Sequence, residues 1–156
     1  MIFVEDNAHV VLLRTIGISI KQIKKAGDKY RVCRFVEKNT QKCLGLIDED
    51  STKQNPQPTF LKTLKLKDYH HNIKIYVDIQ NWKKIIILCP VELEDWVLSA
   101  CKASGIDAKK DFGLENSPKE LHRVINLRLK QVENLIKCLI ELENPAILHL
   151  KQILIH

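Results

Sequence analysis

An apolar run of strand length, Cys43-Leu44-Gly45-Leu46-Ile47, passes without any polar transition into Asp48-Glu49-Asp50-Ser51. A strand that is apolar at every position is covered on both faces, as the central strands of α/β sheets are. The acids at its end therefore stand beside a core, where a carboxylate without a partner is costly. The same grammar occurs twice more. Ile2-Phe3-Val4 runs into Glu5-Asp6, and Ile85-Ile86-Ile87-Leu88-Cys89 runs into Pro90-Val91-Glu92-Leu93-Glu94-Asp95. Three acidic strand ends are expected to meet in space and hold a divalent metal, with the rest of the chain as the scaffold that gathers them.

The order of elements follows from periodicity and punctuation. After the strand at residues 2–4, Asp6 or Asn7 caps a helix whose apolar face holds Val10, Val11, Leu12 and Leu13. Gly17 weakens that helix, and Ile16, Ile20 and Ile23 continue its face. Residues 30–36, β-branched and aromatic, are predicted as the second strand. Too few residues then remain before Lys42 for a helix, so this strand and the one at residues 43–47 form an antiparallel pair through a turn at Lys38-Asn39-Thr40. The polar, proline-punctuated stretch from Ser51 to Pro58 reads as an exposed loop, and residues 60–66 as a short helix. Ile73, Ile75, Val77 and Ile79 alternate as in a half-exposed strand. Pro90 suits the first position of a helix with Leu93, Trp96, Val97, Ala100 and Cys101 on its face. Residues 107–115 read as a loop. Ser117-Pro118-Lys119-Glu120 is a capping box opening a long helix to about residue 142, and a last helix covers residues 146–154.

Strand residues two apart share a face, so Asp48 and Asp50 project together while Glu49 points away. Ligand crevices of open α/β sheets lie outside the carboxyl ends of the strands, where these acids stand. Carboxylates are the hard oxygen ligands that Mg²⁺ or Mn²⁺ prefers. Without a cation, clustered carboxylates repel one another.

With these residues in this order the chain resembles the Toprim domain shared by topoisomerases, primases and overcoming-lysogenization-defect nucleases. Ile2-Phe3-Val4-Glu5 matches the glutamate after the family's first strand, and Gly45-Leu46-Ile47-Asp48-Glu49-Asp50 its Asp-x-Asp after a later central strand. The resemblance covers roughly residues 1–105. Asp6 stands where the family usually has glycine. It implies a central, mostly parallel sheet flanked by helices over residues 1–105; the residue pattern adds residues 106–156 as C-terminal helices packing on that core, in a single α/β domain of residues 1–156. It also implies phosphodiester chemistry on nucleic acid dependent on Mg²⁺ or Mn²⁺, such as that of a nuclease. Glu5 would be the general acid/base, Asp48 and Asp50 the metal ligands, and Glu94 a further ligand. Lys53 and Lys62 would contact the nucleic-acid backbone. His9 reads as a surface histidine.

Composition sets the outer bounds. A net charge of +6, from 25 Lys and Arg against 19 Asp and Glu, allows a DNA or RNA partner without requiring one. No stretch reaches the ~18 apolar residues of a membrane span, and the N-terminus lacks the features of a signal peptide. Five widely spaced cysteines, without a Cys-x-x-Cys pair, read as reduced residues of a cytoplasmic protein. No serine sits in a nucleophile elbow, no glycine-rich phosphate loop is present, and His70-His71 beside Asp68 reads as a polar loop. The alternative to catalysis is a Toprim-like nucleic-acid-binding or regulatory module. A homo-oligomer or protein partner through the C-terminal helices is expected if these expose more apolar surface than the sheet covers.

Overall fold

The computed structural model describes residues 1–50 and 54–155. Its centre is a six-stranded mixed sheet in the order β2-β1-β3-β6-β5-β4, with seven α-helices among the described residues. The strands are β1 (Ile2–Val4), β2 (Ile23–Lys25), β3 (Cys43–Asp48), β4 (Lys65–His70), β5 (Ile73–Val77) and β6 (Lys83–Leu88). Strands β2, β1, β3 and β6 run parallel, and β5 and β4 close one edge as antiparallel neighbours. The helices are α1 (Asn7–Thr15), α2 (Lys29–Lys38), α3 (Leu93–Ala103), α4 (Ala108–Phe112), α5 (Pro118–Val124), α6 (Leu129–Glu141) and α7 (Pro145–Ile155).

Alternation along the central strands divides the core in two. Ile2, Val4, Leu46, Ile86 and Leu88 face one side, where α1, α3 and the C-terminal helices cover them. Phe3, Cys43, Ile47, Ile85 and Ile87 face the other, under α2 and the 3-10 turn Thr59–Thr63. The stripe of α6 (Val132, Leu135, Ile136, Leu139) is absorbed into the first of these cores, which leaves Leu127, Leu142, Leu148 and Ile155 as the exposed apolar residues of this region. No helix among the described residues is long and apolar enough to cross a membrane.

Residues 30–36 are not a strand but the body of α2. Asp28 caps it by accepting the Arg31 N–H at 2.8 Å, and Lys29, Val32, Cys33 and Val36 are buried at helical spacing. The second strand lies earlier, at Ile23–Lys25, so α2 is a crossover helix and β1, β2 and β3 are all parallel. Gly45 makes the close approach of α2 to β3 possible. A Cβ there would lie 2.6 Å from Val32 Cγ1 and 3.0 Å from Ile85 Cδ1.

Three further corrections shape the site. Helix α3 begins at Leu93, with Glu92 rather than the residue before Pro90 as its N-cap. Residues 107–115 include α4, capped by Asp107. The long C-terminal helix is broken at a 3-10 turn, Ile125–Leu127, where the Asn126 side chain turns in to accept the Ala8 N–H at 3.1 Å. That break frees α5 to lie against α3.

Candidate metal centre

Chain order places the acids. β2 lies on one side of β1 and β3 on the other, so the crevice between the carboxyl ends of β1 and β3 is a topological switch point. Glu5 follows β1 and Asp48 ends β3, and both therefore open onto this crevice. The Asp48 N–H donates to Glu5 Oε2 at 2.6 Å. His9, one turn into α1, brings Nε2 to 2.9 Å from Asp48 Oδ1 and Nδ1 to 2.8 Å from Asp6 Oδ1. One ligand atom from each of Glu5, His9 and Asp48 lies within 4.8 Å of the others, close enough to hold one ion.

His9 is not a surface residue. It is 1% exposed, and its position three residues after the N-cap Asp6 turns it under the strand ends. With a carboxylate oxygen at each ring nitrogen, both nitrogens act as donors, which makes the ring an imidazolium. Burial alone would lower its pKa, but Asp48 and Asp6 raise it well above the usual histidine value. Burial, followed by the charge of Asp48, pushes the Glu5 carboxyl up to about 7. Asp6 moves the other way: burial would raise it, yet His9 and the Asn126 side chain hold it down to about 2.

Glu94 reaches the neighbourhood from the first turn of α3, beyond β6, and is 3% exposed. Its Oε1 lies 3.2 Å from His122 Nδ1, while its Oε2 is buried with no hydrogen-bond partner. Burial, with the charges of Asp48 and Glu92, pushes it up to about 7. A cation beside either carboxyl would favour its charged form.

Asp50 stands outside these groups. β3 ends at Asp48, and at Asp50 the backbone turns with φ +22°, so the strand alternation that would align the two carboxylates has stopped. Asp50 Oδ2 accepts from Asn55 Nδ2 at 2.8 Å, and its charge acts on Glu92. The buried Lys29, which sequence reasoning passed over, fixes this turn by donating to the carbonyls of Asp50 and Asn55 at 2.8 and 3.1 Å. Glu49 points away, as the alternation requires, and pairs with Lys74 at 2.8 Å. Lys62 is exposed on the 3-10 turn, and Lys53 lies outside the described residues.

Other chemistry is weaker. Burial pushes the Cys33, Cys89 and Cys101 thiols up to about 12, too high for nucleophiles. His70 is not in a loop but ends β4, where Asp68 lies 3.0 Å from His70 and 3.9 Å from His149 of α7. A groove of about 560 Å³ beside α3 includes Asp95 and Lys102 but none of the four acids at the strand ends.

The carboxylates of Glu5 and Asp48 are hard oxygen donors that fit Mg²⁺ or Mn²⁺, and His9, protonated at both nitrogens, would have to give up a proton before it could join them. No protein-family model, curated protein or solved structure matches this chain.

Proposed function

We propose that this chain is a Toprim-like, divalent-cation-dependent enzyme of phosphodiester chemistry on nucleic acid, a nuclease in the simplest form. The observation that carries the reading is the convergence of Glu5, His9 and Asp48 within 4.8 Å at the β1/β3 switch point. Glu5 and Asp48 would hold Mg²⁺ or Mn²⁺ through carboxylate oxygens, with the His9 imidazolium positioning Asp48 and Asp50 adding negative charge beside them. When bound, the ion would polarise a phosphoryl oxygen and offset developing charge. Glu5 is suited to proton transfer, because a carboxyl near neutrality gives and takes a proton readily at working pH. Its Oε2 is fixed by the Asp48 N–H, which orients the other oxygen for that transfer. The net charge of +6 suits a polyanionic substrate, and five free thiols suit the reducing interior of a cell.

One observation favours a second reading, a binding or regulatory module without turnover. The His9 imidazolium already neutralises Asp48 and Asp6. Cleavage of labelled single- and double-stranded DNA and RNA with Mg²⁺ or Mn²⁺ separates the two. The enzyme reading expects cleavage that falls by about 100-fold or more in Asp48→Asn, since even outer-shell changes at metal sites cost 10–100-fold. Binding without cleavage, unchanged in Asp48→Asn, supports the module.

A further inference from the structure

We infer that Glu92, Glu94 and His122 form a second divalent-cation site, separate from the Glu5 centre, in which the C-terminal region supplies a ligand. It rests on its own residues and does not require the Glu5 reading. One ligand atom from each lies within 4.8 Å of the others. Glu92 caps α3 and Glu94 sits in its first turn, so the two carboxylates rise together from one helix end. His122 arrives from α5, which packs against α3.

The hydrogen bonding of this cluster is incomplete. A single imidazole nitrogen, His122 Nδ1, is shared between Glu92 Oε2 at 2.6 Å and Glu94 Oε1 at 3.2 Å. It cannot serve a third oxygen. Glu94 Oε2 is left buried and without a partner, on a residue only 3% exposed. A buried carboxylate oxygen in that state is costly unless it takes up a proton or a cation reaches it. Asp48 and Asp50 add their negative fields from the neighbouring strand end, so the surroundings deepen the demand. Two carboxylates and an imidazole suit Mn²⁺ or Zn²⁺ better than Mg²⁺ or Ca²⁺, which favour all-oxygen sets. Beside the cluster a cavity of about 420 Å³ is lined by Glu92, Lys119, His122 and Arg123. An anionic group entering it would meet the ion and two basic side chains at once.

The test is the number of Mn²⁺ ions bound by the metal-free full chain, measured by calorimetry and by loss of the free Mn²⁺ paramagnetic signal. His122 is 62% exposed at its side chain, so His122→Ala should fold normally, and circular dichroism with a melting curve checks it. Glu92→Gln is the second variant. Two equivalents in the native chain, falling to one in each of these variants and to one in Asp48→Asn, is the expected result. Two equivalents retained by both His122→Ala and Glu92→Gln overturns the site. So does a single equivalent lost in Asp48→Asn but kept in His122→Ala, which leaves the Glu5 centre standing. A single equivalent lost in all three variants means one shared site and also overturns the inference. One lost in His122→Ala yet kept in Asp48→Asn sustains this site and removes the Glu5 centre. No Mn²⁺ bound by the native chain overturns both.

Discussion

Replacing Glu5 by glutamine should make the metal-free protein more stable while reducing its stabilisation by metal. Burial and the Asp48 charge raise this carboxyl from 4.5 to about 7. At pH 8 it is ionised in both folded and unfolded chains, and holding that charge in the fold costs about 3 kcal/mol at about 1.4 kcal/mol per unit. At pH 5 the folded carboxyl keeps its proton and the cost drops below about 1 kcal/mol. Glutamine is neutral throughout, and its amide oxygen can still accept the Asp48 N–H. For a chain of this size about 1 kcal/mol moves the midpoint by about 2–4 °C, so Glu5→Gln should melt roughly 6–12 °C above the native protein at pH 8. The two should nearly coincide at pH 5. Differential scanning fluorimetry in chelator, repeated with millimolar Mn²⁺, reads both effects. A variant less stable than the native protein at pH 8, or a gain equally large at pH 5, refutes the reasoning from a buried, repelled carboxylate.

Four other outcomes follow from the same contacts. The metal-free native protein should melt higher as pH falls from 8 to 5.5. Glu5, Glu94 and His9 all have raised folded-state pKa values, so the stability they contribute is present at low pH and lost as pH rises through neutrality. A melting series across that range checks the slope, and saturating Mn²⁺ should flatten it. His9→Ala should destabilise by about 3–5 kcal/mol at pH 7, because it strips Asp48 of a buried cationic partner, as urea titration would show. Gly45→Ala should cost about 1–3 kcal/mol through its overlap with Val32, and pairing it with Val32→Ala should recover part of that loss. Lys29→Met should cost about 1–3 kcal/mol by removing the buried ammonium's hydrogen bonds to the carbonyls of Asp50 and Asn55, measured by urea titration.

The strands that carry the acids could be read from the chain because each is a short, wholly apolar run stopped by charge. β1, β3 and β6 follow from that pattern alone, as do the positions of Glu5 and Asp48 at their ends. Residues 30–36 misled because Val32, Phe35 and Val36 favour strands, whereas the burial of 29, 32, 33 and 36 on β3 is a tertiary fact. The alternative signal was available in that spacing and in the cap at Asp28. β4 has no apolar face to detect: five of its six residues are exposed and charge lines it, as suits a sheet edge. His9 lay hidden for a different reason. A helix N-terminus reads as solvent-facing until the sheet shows which side of it lies under the strand ends. His122 joins Glu94 across 28 residues, from a helix cut short just beyond it by a break with neither proline nor glycine to announce it.

The most direct test of the central proposal is calorimetric titration of Mn²⁺ into the metal-free native protein and into Asp48→Asn, with His122→Ala as a control that spares the switch-point residues. Binding by the native chain that loses one equivalent in Asp48→Asn, while His122→Ala keeps that equivalent, is the expected result. A folded Asp48→Asn that binds Mn²⁺ as the native protein does, in number and affinity, would contradict a metal centre at the ends of β1 and β3.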